Sequence, residues 1–263
     1  MAPAPDEPAL LRHTVRIAAA CYEEAMAALV DCFPGGFEEE VHGASVLLST
    51  CLPEGSRLAL PAGYTAVEEP VAAGWRDGWK AFHRPVVLGR FWIGPPWLAD
   101  EAPPASEKVV IEPAQAFGTG AHGSTRATIE LLLDLPPGGP ILDIGCGSGV
   151  LSIVAARLGY APVRALDMDP LAVEATRENA ARNGATITAD RADALTDPLP
   201  PVPFALANLQ REILEPLFVH DGLPDSIVVS GLLEDEPFAP VGWRSEAVRV
   251  HDGWRAEHLL RAR

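Results

Sequence analysis

PILDIGCGSGVLSIVAARLG, residues 140–159, is the stretch on which the reading of the fold turns. Ile141, Leu142 and Ile144 form a short apolar run that reads as a buried strand. Gly145, Gly147 and Gly149 make a tight loop, and Val150 to Leu158 has helical spacing with Leu151, Val154 and Leu158 on one face. Strand, glycine loop and helix make the first crossover of a doubly wound sheet, in which ligands sit at the carboxyl ends of the strands. Glycines there adopt backbone angles closed to other residues and let a ligand approach the main chain.

The spacing is G-x-G-x-G, not the G-x-G-x-x-G of dinucleotide folds. Asp143 also stands two residues before the first glycine. A carboxylate in that place is awkward beside a pyrophosphate and suits a positively charged ligand, such as S-adenosylmethionine with its ammonium and sulfonium. The run D-x-G-x-G-x-G resembles the first motif of class I methyltransferases. A plain tight turn is the other reading of a glycine triplet, and the flanking strand and helix weigh against it.

Downstream, Val163–Leu166 reads as the second sheet strand, ending at Asp167. An acidic residue there can accept bonds from both ribose hydroxyls. Asp169-Pro170 supplies the N-cap and first position of the next helix, which leaves Asp167 free for a ligand. That helix stops at Asn183-Gly184. Ala185–Ala189 is a third strand, followed by Asp190 and Asp193. One of these could reach an adenine amino group, and Asp193 is the better placed, although a solvated turn would use the same residues. Phe204–Ala207 is a fourth strand ending at Asn208. A helix at 210–219, a strand at 226–230, a helix-poor crossover at 233–243 and strands near 246–250 and 254–260 complete the sheet, with an antiparallel hairpin last.

Upstream, residues 1–9 read as disordered. Leu11–Ile17 reads as a strand, and Tyr22–Phe33 as a helix with Cys21, Ala25, Leu29 and Cys32 on one face. Phe37–Val41 and Ser45–Cys51 are strands around a His42-Gly43 turn. This is the first half of a ferredoxin-like unit, and Pro53–Pro61 is too poor a helix to begin the second half. Residues 61–98 read as a connector, with a short helix over Trp75–Phe82 and a strand over Val86–Ile93. Trp75, Trp79, Trp92 and Trp97 either line a binding surface or, more ordinarily, pack a domain junction. Lys108–Glu112 is a strand leading into AFGTGAHGST, residues 116–125, where Ser124 or Thr125 could cap a helix over Arg126–Leu133.

Composition bounds the function. A chain of 263 residues with 48% apolar residues holds one full α/β domain and a small companion. Its net charge of -16 disfavours nucleic-acid binding. It is compatible with a basic protein target, though ordinary solubility is the simpler account. The four cysteines have no C-x-x-C spacing, which argues against a zinc or redox site, and free thiols suit a reducing cytoplasm. Cys146 reads as a small packed residue. The acidic, proline-rich start is not a targeting segment, and no apolar run approaches a membrane span.

Four elements now coincide in order: AFGTGAHGST, ILDIGCGSG, the strand ending at Asp167, and ANLQ at 207–210. Together they resemble the PrmA family of ribosomal protein L11 methyltransferases, from about residue 72 to the end. The most specific element is F-G-T-G-x-H-x-x-T, here Phe117 to Thr125. The family usually has Pro-Thr where this chain has Gly123-Ser124, a change expected to loosen the loop. SGLL at 230–233 and the Trp-rich connector also look like the family. The resemblance implies that the loop around Phe117, Thr119, Gly120 and His122 faces the methionine half of S-adenosylmethionine, with Asp143, Gly145 and Gly147. It implies Asp167 at the ribose and Asn208 at the active-site mouth. It also implies that the N-terminal domain docks a protein substrate.

Methyl transfer from a sulfonium is mostly alignment of nucleophile, methyl and leaving sulfur. Enzymes that methylate planar nitrogens often carry N-P-P-[YF] at the fourth strand, whereas this chain has Asn208-Leu209-Gln210-Arg211. An aliphatic amine needs no such clamp, but it needs a lone pair. Lysine titrates near about 10.4 and an α-amino group near about 7.7–8.0. A dry pocket favours the neutral amine. His122 is the one evident base nearby, and it reads equally as a hydrogen-bonded loop anchor.

The expectation is therefore an α/β protein. A small α+β substrate-docking domain spans residues 1–60. A Rossmann-like class I methyltransferase domain, with a mostly parallel seven-stranded sheet and helices on both faces, spans 99–263. The expected activity is cytoplasmic, S-adenosylmethionine-dependent methylation of amines (lysine side chain or α-amino group) on a large-subunit ribosomal protein, with no metal, no direct nucleic-acid contact and no membrane. The alternatives are a same-fold methyltransferase acting on another protein or a small molecule, and a non-catalytic S-adenosylmethionine-binding module.

Overall fold

The structure, a computed structural model, describes residues 10–29, 32–33, 37–71, 83–113, 120–220 and 222–262. The chain divides into two compact units, Met1–Lys80 and Ala81–Arg263.

The first unit contains β1 (Leu10–Ala18), α1 (Tyr22–Leu29), β2 (Glu38–His42), β3 (Ser45–Pro53) and β4 (Ala66–Pro70). Its sheet has the order β2-β3-β1-β4, with every pair antiparallel. Alternate residues Val15, Ile17, Val46 and Leu48 are buried with Ala25, Leu29 and Phe33 in one small core. Two expectations change. The strands of a ferredoxin-like unit are all present, because Ala66–Pro70 pairs with β1, and residues 54–65 carry no helix. β4 was hard to see because AVEEP is an exposed edge strand with no apolar alternation. Cys21 is exposed rather than core, because it lies in the 3-10 turn Ala19–Cys21, where α-helical spacing does not hold, and Cys32 is half-buried.

Residues 61–98 do not behave as one connector. Ala66–Pro70 joins the first sheet, while β5 (Val86–Leu88) pairs with β6 (Phe91–Gly94), and β6 with β7 (Glu107–Val110), in the second unit. The single strand expected over Val86–Ile93 is a hairpin, turned at Gly89-Arg90. Trp92 is 2% exposed and is therefore core, not surface, and Trp97 is half-buried in the 3-10 turn Pro96–Glu101. Trp75, Trp79 and the helix expected around them lie outside the described residues.

The second unit continues with α2 (Gly123–Asp134), β8 (Ile141–Ile144), α3 (Val150–Leu158), β9 (Val163–Asp167), α4 (Pro170–Arg182) and β10 (Ile187–Arg191). It ends with β11 (Phe204–Asn208), α5 (Arg211–Leu217), β12 (Ser226–Leu233), β13 (Trp243–His251) and β14 (Trp254–Arg261). The strands form a seven-stranded sheet in the order β10-β9-β8-β11-β12-β14-β13. β10, β9, β8, β11 and β12 run parallel, and β14 is antiparallel to both its neighbours.

Strand alternation divides the core. Ile141, Leu206 and Val228 face α2 and α3, and the intervening Leu142, Ala205, Ala207, Ile227 and Val229 face Leu214 and Leu217 of α5. Because the central strands are parallel, Ile144, Asp167, Arg191 and Asn208 all end at the same edge of the sheet. That edge is where the polar loops gather.

Candidate active site

A cleft of about 520 Å³ opens at this edge. Gly145, Cys146 and Gly147 line it from the loop after β8, Asp167 and Met168 from the end of β9, and Asp193 and Leu195 from the segment after β10. Thr125 of α2 and Asn208, Leu209 and Ile213 around the end of β11 close it. The volume and the mixture of apolar walls with a few convergent polar groups suit a cofactor-sized ligand.

The glycine loop is fixed by main-chain and carboxylate bonds. Gly145 N and Cys146 N both donate to Leu166 O, at 2.8 and 3.0 Å. Gly147 N donates to Asp167 Oδ2 at 3.0 Å, while Asp167 Oδ1 accepts from Asp169 N at 3.0 Å. Gly145 has φ +73, a conformation strained for residues with a side chain, and a Cβ there would lie 2.3 Å from Leu209 Cδ2. Asp169 caps α4 as expected, accepting from Leu171 N at 2.9 Å. Asp167 is nonetheless not free: each of its oxygens already holds one main-chain N–H, and only the second lone pairs remain for a ligand.

Asp143 does not line the cleft. It is 1% exposed and faces α3, where Oδ2 accepts from the Ser152 hydroxyl at 2.6 Å. Its Oδ1 has no hydrogen-bond partner among the described residues. Burial pushes its carboxyl up to about 6, with the Ser152 bond pulling the other way and Asp167 adding repulsion. The same burial, with Asp143 nearby, pushes the Cys146 thiol up to about 12, which keeps it protonated and suits the packing role read for it.

His122, not Ser124 or Thr125, caps α2. Its Nδ1 accepts from Ser124 N at 3.4 Å and lies 2.8 Å from Ser124 Oγ. Its ring packs on Trp254 with centroids 4.4 Å apart, and burial lowers its pKa. His122 is absent from the cleft lining, so its bonds favour the loop anchor over the base. Gly123 is close-packed rather than loose: a Cβ there would meet His251 O at 2.5 Å and Trp254 Cδ1 at 2.7 Å. Thr125, freed from capping, meets Asn208 across the cleft mouth, with Asn208 Nδ2 donating to Thr125 Oγ1 at 3.3 Å.

Of the other expected residues, Asp193 lines the cleft while also closing its own turn, accepting from Leu195 N at 2.9 Å. Asp190 instead pairs with Arg164 and Arg177. Gly120, at φ +90, lies against Ile93 and Val150. Phe117 and Thr119 lie outside the described residues. The sequence reading missed Thr125 as a site residue, although it is the last residue of the F-G-T-G-x-H-x-x-T run. It also missed the apolar walls Met168, Leu195 and Ile213, which carry no motif.

Known proteins resemble this chain over much of its length. The family model described as ribosomal protein L11 methyltransferase (PrmA) matches residues 49–236, reaching further back than residue 72 and into β3. The ribosomal protein L11 methyltransferase of Myxococcus xanthus is 35% identical over 184 residues, covering 68% of this chain and 64% of that protein. The one from Pelobacter propionicus is 39% identical over 196 residues, covering 68% and 62%. The chain thus spans just under two thirds of these relatives' lengths. The relative from Bordetella parapertussis is 32% identical over 255 residues and covers 89% of this chain and 80% of its own length. Among solved structures, ribosomal protein L11 methylase from Lactobacillus delbrueckii subsp. bulgaricus superposes with a TM-score of 0.58 at 25% identity, covering 68% of this chain and 100% of that one.

Two outcomes are expected. The folded-state pKa of Asp143, about 6, lies above its ordinary 3.8, so the stability this group contributes is complete below about pH 4 and is lost as pH rises through 6. The loss amounts to about 3 kcal/mol. Asp143→Asn removes that ionisation. Its urea-unfolding stability relative to the unsubstituted protein should therefore improve by about 3 kcal/mol between pH 4 and pH 8. A difference flat with pH would show that Asp143 is not raised. Separately, Gly123→Pro, the residue usual in the family, should lose about 1–3 kcal/mol through overpacking against His251 O and Trp254. Unchanged urea midpoints would contradict the close packing.

Proposed function

This chain belongs to the PrmA family of ribosomal protein L11 methyltransferases, and we propose that it moves a methyl group from S-adenosylmethionine to amines of ribosomal protein L11. The observation that carries this reading is the Asn208–Thr125 pair at the mouth of the cleft that Asp167, Asp193 and the glycine loop line. The order of the seven-stranded sheet and the small α+β unit support the Rossmann-like class I architecture expected from the sequence. The residues present fit the cofactor: a loop with Gly145, Gly147 and Gly149, a carboxylate at the end of the second strand of the crossover, and a buried carboxylate oxygen on Asp143 that has no partner among the described residues.

Bound S-adenosylmethionine supplies an electrophilic methyl group on a positively charged sulfur. The chain's own residues bind, orient and exclude water. Asp167 offers its remaining lone pairs to hydroxyl donors, and Asp193 reaches towards an amino group on a flat ring. Met168, Leu195 and Ile213 are the apolar walls that such a ring would cover. Asp143, just behind the loop, supplies negative charge to a cationic ligand. Asn208 uses its Nδ2 on Thr125, which leaves Oδ1 as the acceptor that orients an incoming N–H and so aims the nitrogen lone pair. His122 holds the start of α2, and through it Thr125, in place. The N-terminal unit docks the protein substrate. Such a substrate places the reaction in the cytoplasm.

Incubation of the protein with methyl-labelled S-adenosylmethionine and ribosomal protein L11 tests this reading, with labelled lysine or N-terminal α-amine as the expected product. No calorimetric binding of S-adenosylmethionine would overturn it, and label on a different protein of a cell extract would move the substrate. Asp167→Ala should weaken cofactor binding at least about tenfold, through loss of charge-assisted hydrogen bonds. Asn208→Ala should keep cofactor affinity and lower kcat about 100-fold. Equal loss of both would make Asn208 a cofactor ligand instead.

A further inference from the structure

We propose that the surface running from the cleft mouth over α5 is a docking track for the protein substrate. Its occupant is a basic segment of that protein with apolar side chains between its cations. The proposal rests on the methyltransferase reading above and adds a second place where the substrate is held.

The track is continuous. Leu195 lines the cofactor cleft and also a shallow groove that runs past Pro198 and Pro216 to Val219. Val219 then begins a second groove, with Phe218, Phe238 and Val241. While α5 turns Leu214 and Leu217 fully into the core, Val219 is 81% exposed and Val241 is 99% exposed. Two branched apolar side chains held in water beside grooves that lead to the reaction cleft are placed for a partner's apolar anchors.

The charge around the track selects the partner. Glu215 lines the second groove, and Asp197, Glu212, Glu234, Asp235 and Glu236 are exposed in the segments that carry the lining residues. Arg211 offsets one of these charges and leaves the rim acidic. It is already held by the carboxylates of Glu215 and Glu236 and by the carbonyls of Glu236 and Pro237. An acidic rim repels nucleic acid. A second copy of this chain would set the same rim against itself, and like charges brought together in an interface are costly. A basic protein segment meets neither obstacle, and the rim would speed its encounter. Its target amine would be led to the cleft along a surface that begins at Leu195.

The double variant Val219→Ser/Val241→Ser tests the track on the full chain. Both residues are exposed and neither lines the cofactor cleft. By calorimetry, the Kd for recombinant ribosomal protein L11 should rise at least about fivefold, while cofactor affinity and the urea midpoint stay unchanged. In the methylation assay KM should rise by the same factor at constant kcat, and added salt should weaken L11 binding to the unsubstituted protein. An unchanged Kd overturns the proposal. A dimer of the unsubstituted protein that the double variant dissociates overturns it too, in favour of a self-interface. Binding of L11 without any methylation would sink the enzymatic reading alone.

Discussion

The carboxylate of Asp167 joins the strand ends from which the cleft is made. One oxygen holds Gly147 N of the loop after β8 and the other holds Asp169 N at the entrance to α4. Hydrogen bonds to a charged group contribute about 1.5–3 kcal/mol each. A single side chain at the end of β9 therefore sets the loop on one side and the start of a helix on the other. With the loop fixed, Gly145 and Leu209 can meet without room for a Cβ, and Leu209 N in turn donates to Ser230 O on β12 at 3.0 Å. The floor of the cleft is thus set by main-chain hydrogen bonds.

Against that rigid frame, Asp143 is a deliberate cost. Its carboxylate is buried, with Ser152 as partner to one side and an oxygen that no described residue reaches, and burial lifts its pKa to about 6. A sequence selected for stability alone would place an amide or an apolar residue there. Local rules are broken in this way where a site needs charge. A cation bound on the far side of the glycine loop would restore the ionised form and recover part of what burial loses. The stability deficit and the binding function are thus one feature seen from two sides.

What was legible in the sequence follows from whether a local rule had a competitor. The strand, loop and helix of residues 140–159, the Asp169-Pro170 cap and the strand ending at Asn208 were read correctly, because each element carries its own signal in adjacent residues. The cap of α2 was misread because a histidine outcompeted Ser124 and Thr125, and that preference depends on Trp254, far along the chain, packing on its ring. The expected looseness at Gly123 failed for the same reason: the space is filled by the β13–β14 turn, which no local pattern announces. β4 was invisible because an exposed edge strand need not alternate, and the burial of Asp143 because motif spacing gives position but not depth.

The contents of the cleft bear on how an amine could be methylated there. The titratable groups that line it are Cys146, Asp167, Asp169 and Asp193, and His122 is held outside by its bond to Ser124 N. Its Nδ1 is turned to the Ser124 main-chain N–H, where it caps α2. The Cys146 thiol, pushed up to about 12, is not a base at neutral pH. Asp167 and Asp169 are committed to main-chain N–H groups, and Asp193 to its own turn. On the proposed activity, the nucleophile then has to enter already neutral. A lysine near about 10.4 exposes roughly 300-fold less free amine at neutral pH than an α-amino group near about 7.9. A lysine substrate would therefore rely on the apolar cleft to shed its proton to water on entry, with Asn208 Oδ1 accepting one of the remaining N–H groups. An α-amino group would need only the alignment.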